Sequence, residues 1–257
     1  MSFVEECRER TAAVWQAYSG HPWIEALADG TLRPDQFAFF QIDDGSHVAE
    51  FNRALALGIA KAPVGHPWAK AAAHVLDDLS TADELDEKRS LVEALGFAPD
   101  VGQSRWSCSP AREGYINHLL RIGLGGTFSQ IAASLYPCSL FTEVIGTRFR
   151  GLPIPGPEAY RRWTDMYTRR TRTEMCAAHA MVMEQAAASG TETDREDLFR
   201  LYKRSLEHQV RVFDAAWRLD GLWPGGGRPL AVSALDAAKS GGPAPTPPPD
   251  QPIRPLI

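Results

Sequence analysis

Cys138 stands in SLYPCSLFTEVIG, within the most apolar stretch of the chain. A thiol becomes a nucleophile when its thiolate is stabilised or a base stands near it. In an apolar run a cysteine is otherwise a small hydrophobe, and that is the commoner reading. Pro137, directly before it, removes a backbone donor and bends a helical pattern, an irregularity that a packed core position does not need. The polar partners of such a thiol must come from other segments. Asp44 and His47 lie three apart on the stripe Phe37, Phe40, Asp44, His47, Val48, Phe51, so both face the core. A carboxylate there costs several kcal/mol unless paired, so Asp44 needs either a structural ion pair or a functional partner. His47 alone reads more often as a packed histidine than as a catalytic one. Asp43 falls off the stripe and reads as a solvated surface charge. Glu207 stands close to a second stripe, Leu198, Leu201, Val210, Phe213 and Trp217, flanked by Leu206. Its plain alternative is a boundary glutamate paired with Lys203 or Arg211 at helical spacing. Tyr115, Tyr160 and Tyr167 offer hydroxyls and ring faces, though each alone reads as core.

Helices must position these groups. The first runs from Phe3 to Ser19, where Gly20-His21-Pro22 stops it, and a short one carries Trp23, Ile24 and Leu27 to Asp29-Gly30. Pro34 then opens a long helix to Ile59 or Ala60, since proline in a first turn loses no bond. The fourth spans Trp68 to Leu95, and its charged middle, DDLSTADELDEK, should face solvent or contain a kink. Pro99 to Pro110 reads as a loop. Further helices follow over Ala111–Gly123, Phe128–Arg148, Glu158–Ser189 and Asp194–Leu219, with Phe128–Arg148 apolar enough to be central. Strand-length alternation bounded by hairpin signals is absent. The pattern predicts one all-α bundle of about seven to eight helices over residues 1–223. Nine of the 19 prolines lie between Pro224 and Pro255, so residues 224–257 read as a Pro/Gly-rich extended tail.

Composition narrows the function classes. The 257 residues are 44% hydrophobic and 23% charged with a net charge of −5, an ordinary globular balance. Signs are interspersed, which gives no footprint for nucleic acid or an anionic membrane surface, and no run approaches the ~18 apolar residues of a span. The opening MSFVEECRER is too charged for a signal peptide, so a cytoplasmic location is expected. Four cysteines (Cys7, Cys108, Cys138, Cys176) at separations of 30 or more, without a CxxC pair, argue against a zinc site, a redox motif or a disulfide framework.

Five ordered segments carry a resemblance. HPWIEALADGTLRPDQFAFF, QIDDGSHVAEFNRAL, SLYPCSLFTEVIG, AYRRWTDMY and SLEHQVRVFDAAWRLDGLWP together resemble the thiaminase II (TenA) family, an all-helical fold related to haem oxygenase, over residues 3–223. The resemblance implies an aminopyrimidine aminohydrolase. Such enzymes act on 5-substituted 4-amino-2-methylpyrimidines in thiamin salvage, without a metal or cofactor, and are homo-oligomers, tetramers or dimers. Carried over, Cys138 is the nucleophile, Glu207 the acid/base and Asp44 the group that holds the aminopyrimidine edge. Tyr115, Tyr167, His47, Thr142 and Phe40 would line the pyrimidine pocket. The chain departs from the family at Gly45-Ser46-His47 where aromatics are usual, at Thr142 where a tyrosine is usual, and at Val210-Arg211 where a Phe-Trp pair follows the glutamate. These changes enlarge and polarise the pocket, and hydrolysis of intact thiamin is not expected. Other relatives of the architecture bind two irons. His74 with Asp78, Glu143, and Glu174 with His179 are the residues that would serve, but the five-residue spacing of Glu174 and His179 does not put two ligands on one face. The basic, histidine-rich pocket expected of a pyrroloquinoline quinone oxidase is not evident. Another heteroaromatic substrate, or ligand binding without turnover, remains as the alternative function.

Overall fold

A computed structural model describes residues 1–78, 81–97, 108–169, 172–221 and 223. Among these residues there are eleven helices and no strand: α1 (Phe3–Arg10), α2 (Ala12–Ser19), α3 (Pro22–Asp29), α4 (Pro34–Lys61), α5 (Pro67–Asp78), α6 (Thr81–Glu93), α7 (Pro110–Gly125), α8 (Phe128–Phe149), α9 (Glu158–Arg169), α10 (Thr173–Ser189) and α11 (Glu192–Arg218). The all-α architecture is as expected, and the count exceeds seven to eight because three expected helices are each two. Thr11 separates α1 from α2. It leaves the helical region at φ −110°, ψ 11°, and its hydroxyl donates to the Cys7 carbonyl. The charged segment spans the boundary between α5, which ends at Asp78, and α6, which starts at Thr81. Glu143 of α8 makes the start of α10: its carboxylate accepts from the Arg172 backbone N–H at 2.8 Å and from the Thr173 hydroxyl at 2.7 Å. The loop expected over 99–109 lies outside the described residues up to 107, and the tail from 224 lies outside them entirely.

Local chemistry fixes the other ends. Pro34 is the first residue of α4. Ser109, Thr127 and Thr191 cap α7, α8 and α11 through their side chains, each satisfying a first-turn N–H that has no intrahelical partner. Gly30 closes α3 in the left-handed region, φ 78°, with Pro155 so close that a Cβ would meet its ring at 2.8 Å.

Two helices form the centre. α8 packs against α4, α7, α9, α10 and α11, and Pro137 lies inside it without ending it. α4 is buried on every side from Gln36 to Val48. A helix buried all round can carry polar side chains only if each finds a partner or faces a cavity, and this stretch carries Asp43, Asp44, Ser46 and His47.

Candidate active site

Seven helices and the residue that opens an eighth surround a pocket of about 800 Å3 of empty space, its open mouth included. That is the size of a small-molecule site. α4 contributes Phe40, Asp44, His47, Val48 and Phe51 from the stripe that periodicity picks out, and Asn52 from beside it. Cys138, Ser139, Phe141 and Thr142 come from α8, Met166 and Tyr167 from α9, and Gln209 and Phe213 from α11. Tyr18, Glu84, Arg112 and Arg172 complete the wall. Phe40 stacks on Phe213 with ring centroids 4.9 Å apart, and Tyr167 packs on Trp163 at 4.4 Å, so the apolar faces are braced.

Asp44 is paired, as an apolar stripe demands. Its Oδ2 accepts from Lys88 Nζ at 2.6 Å and its Oδ1 from Arg112 Nη1 at 2.8 Å. Burial alone would raise this carboxyl, but the ammonium and the guanidinium outweigh burial and hold it well below the usual carboxylate range. Lys88 comes from the charged segment read as solvent-facing, yet it is 1% exposed, and it also lies 3.6 Å from Glu84. Asp43 is a second correction. It is 2% exposed and no surface charge: Oδ1 accepts from the Ser109 N–H at 2.6 Å and Oδ2 from the Ser109 hydroxyl at 2.9 Å. Burial pushes its carboxyl up, against Arg112, whose Nε is 3.6 Å away. Asp43 therefore pins the start of α7 and aims Arg112 at the pocket wall.

Cys138 borders the pocket, and of the four cysteines, none of which is in a disulfide, it is the one not fully buried. Burial, and then the Asp44 charge, push its thiol up to about 12, so the ligand-free site does not hold a thiolate at neutral pH. Thr142, one turn on, donates its hydroxyl to the Cys138 carbonyl at 3.1 Å and so spends it on the backbone. Behind the wall, Trp68 Nε1 donates to His179 Nδ1 at 3.1 Å. The proton of His179 is therefore on Nε2, which faces Ser139 Oγ at 3.4 Å.

His47, Phe40, Tyr167 and Thr142 all reach the pocket. Tyr115 stands one layer back, its ring stacked on His47 at 5.0 Å and its hydroxyl accepting from Gln209 Nε2 at 2.9 Å. Burial, followed by Arg112, pulls His47 down to about 3, so its imidazole is neutral. Glu207 is not among the pocket residues. It lies half-buried, 3.5 Å from Lys203 and 3.4 Å from Arg204, which is nearly the plain alternative read from its spacing. The buried face of α11 runs through Phe199, Tyr202, Leu206, Gln209 and Phe213, one step round from the stripe read in the sequence. Two residues turn a helix by about 200°, so Gln209 faces the cavity and Glu207 faces away. Sequence reasoning missed Lys88, Arg112, Glu84, Arg172 and Gln209. Only Arg112 left a signal, a charged residue in the first turn of a helix that opens at Ser109-Pro110.

Of the residues considered for two irons, the Asp78 side chain lies outside those described, and the others do not gather. His74 pairs with Glu174 at 3.4 Å on the exposed surface, Glu143 caps α10, and His179 is bonded to Trp68. Among the described residues no three of His, Cys, Asp or Glu gather closely enough to hold a metal ion, and no helix is long and apolar enough to cross a membrane.

Known proteins resemble this chain over nearly its whole described length. The aminopyrimidine aminohydrolase of Bacillus subtilis (strain 168) is 24% identical over 221 residues, 86% of this chain and 92% of that protein. The aminopyrimidine aminohydrolase of Halalkalibacterium halodurans is 21% identical over 226 residues, 87% and 98% of the two chains. Among solved structures, a TenA homologue from Pyrococcus furiosus superposes with a TM-score of 0.70 at 19% identity, covering 83% of this chain and 99% of that one. A domain with a haem oxygenase-like fold from Shewanella denitrificans does so with a TM-score of 0.53 at 18% identity, covering 84% and 92%. Residues 8–219 match the pattern of the TENA/THI-4/PQQC family, to which this chain belongs.

Proposed function

We propose that this protein hydrolyses 5-substituted 4-amino-2-methylpyrimidines, replacing an amine on the 5-methylene with hydroxyl: R–CH2–NH2 + H2O gives R–CH2–OH + NH3. One observation carries the reading. A thiol, Cys138, and a carboxylate, Asp44, border the same aromatic-walled pocket, and relatives that this chain covers end to end are aminopyrimidine aminohydrolases. Cys138 adds to the electron-poor ring, which lets the C–N bond of the 5-methylene break. Water then adds to the exposed methylene, and the thiol leaves as the aromatic ring reforms. The leaving amine takes a proton from an acid, and the same group accepts one from water. With Glu207 turned away, that role falls to Glu84, the other carboxylate of the pocket wall. Apolar walls desolvate the ring, and Asp44 meets its amino edge. A cytoplasmic homo-oligomer, tetramer or dimer, belongs to the same proposal and rests on the family alone.

The test is ammonia release from 4-amino-5-aminomethyl-2-methylpyrimidine. The native protein turns it over, Cys138→Ser lowers kcat by roughly 100-fold or more, and Glu84→Gln lowers it by roughly 100- to 10,000-fold. One second reading has an observation in its favour. The thiol raised to about 12 and the amide of Gln209 on the wall suit a protein that binds such a ring without turnover. Saturable binding with no ammonia from the native protein would establish that reading and remove the hydrolase.

A further inference from the structure

Lys88 stands behind the pocket wall with a wall carboxylate on each side. It is 1% exposed and does not itself border the cavity. Its Nζ donates to Asp44 Oδ2 of α4 at 2.6 Å and lies 3.6 Å from Glu84 Oε1, one turn earlier on α6. A buried ammonium is expensive unless it is paired. Asp44 does not depend on it, since Arg112 already holds the other carboxylate oxygen at 2.8 Å. What Lys88 adds is a tie between two carboxylates that both border the cavity. The Glu84 end of α6 needs that tie. The fully buried apolar residues of α6, Leu91 and Val92, lie in its last turn, whereas Asp83 and Asp86 are exposed and Leu85 is half-buried.

Resting on the proposed function, we infer that Lys88 is a positioning residue of the reaction: its ammonium bridges Asp44, which meets the amino edge of the ring, and Glu84, which moves the proton, and so fixes the distance between them. It touches neither the substrate nor the reacting atoms. The amino edge and the 5-methylene belong to one flat ring system. Anchoring the first at Asp44 therefore decides where the amine on the second can lie, and Glu84 must meet that amine. Two bare carboxylates on one wall would repel each other, and the charge between them offsets that repulsion. Glu84 also stands within electrostatic reach of the reacting sulfur, being one of the charges felt at the Cys138 thiol, after burial and Asp44. Arg112 and Arg172 bring further positive charge to the same wall, so the test asks whether Lys88 acts through Glu84.

The experiment uses the full chain. It measures ammonia release from 4-amino-5-aminomethyl-2-methylpyrimidine and the binding of the product-like probe 4-amino-5-hydroxymethyl-2-methylpyrimidine. Lys88→Met keeps the buried length and removes the charge. It is expected to lower kcat about 10- to 100-fold, while KM and the probe Kd stay within about threefold because Arg112 still holds Asp44. In a Glu84→Gln background the same change is expected to cost less than about threefold more, since a residue that acts through Glu84 has nothing left to place. Equal losses of kcat in both backgrounds, a probe Kd that weakens as far as kcat falls, or native turnover in Lys88→Met would overturn the inference and leave the hydrolase in place. A Glu84→Gln variant as fast as the native protein would remove the inference together with the role of Glu84. No ammonia from the native protein would remove the hydrolase as well. If Lys88→Met does not fold, Lys88→Gln, which can still donate to Asp44 but carries no charge, takes its place in the same comparisons.

Discussion

At the scale of single residues, Cys138 is a nucleophile held in reserve. Its thiol is pushed up to about 12, and Cys7, Cys108 and Cys176 are pushed to about 12 as well, burial being the first cause in each. The ligand-free site distinguishes Cys138 from the other three by access alone. Below its pKa the thiolate fraction rises tenfold per pH unit, and the thiolate is the reactive form. Iodoacetamide should therefore modify Cys138 before the other three, at a rate rising about tenfold per unit from pH 7 to 10. Mass spectrometry of the folded protein reads this directly, and a rate that levels off below pH 9 would contradict it. Asp44, His47 and Phe40 are legible because they sit on a stripe whose period the sequence displays, and Cys138 because Pro137 breaks an apolar run directly before it. Lys88 and Arg112 are not, because an ion pair across 44 or 68 residues leaves no periodic trace.

At the scale of helices, the same distinction holds. The ends set by local chemistry, Pro34 at the start of α4 and Thr127 before α8, follow from the residues alone. The break before α10 depends on Glu143 reaching across from α8, which no window on residues 158–189 contains. The one-step rotation of α11 has a similar cause. Its apolar residues are compatible with two neighbouring faces, and contact with α8 and α7 selects the one through Gln209. Close helix contact also supplies a test. A Cβ on Gly146 of α8 would stand 2.6 Å from the Tyr167 carbonyl oxygen and 3.1 Å from its carbon, and this is backbone that cannot rotate away. Gly146→Ala gains up to about 1 kcal/mol of helix propensity, but forcing α8 and α9 apart costs about 1–3 kcal/mol. Net destabilisation of about 1 kcal/mol is expected in urea unfolding, with weaker pyrimidine binding because Tyr167 is a wall residue. Gly125→Ala, at the end of α7 where a Cβ meets nothing within 4 Å, should show neither effect.

At the scale of the whole molecule, burying neutral histidines makes the fold acid-sensitive. Burial is the first cause that pulls His47 and His179 down to about 3 and His118 to about 4. In the unfolded chain the same rings titrate near 6.5. A folded pKa below the unfolded one means that this stability is fully present above about pH 6.5 and is lost as pH falls from there towards 3, since the unfolded chain binds the protons first. At pH 5, His47 and His179 each forgo roughly 2 kcal/mol, a large share of the ~5–15 kcal/mol that holds a domain together. Among the buried carboxylates, Asp44, held low by Lys88 and Arg112, enters only below about pH 4 and in the same direction, whereas Asp43, which burial raises, acts in the opposite direction as pH climbs above its unfolded value near 4. The urea midpoint should therefore fall steeply between pH 7 and pH 5, where the three histidines act together. His179 accepts from Trp68 and faces Ser139, and an amide can do both, so His179→Asn should keep the fold and remove about a third of that slope. A midpoint that is flat across this range would mean that the buried rings take up protons as freely as exposed ones, and the closed core around α4 and α8 would have to open on a scale the packing does not suggest.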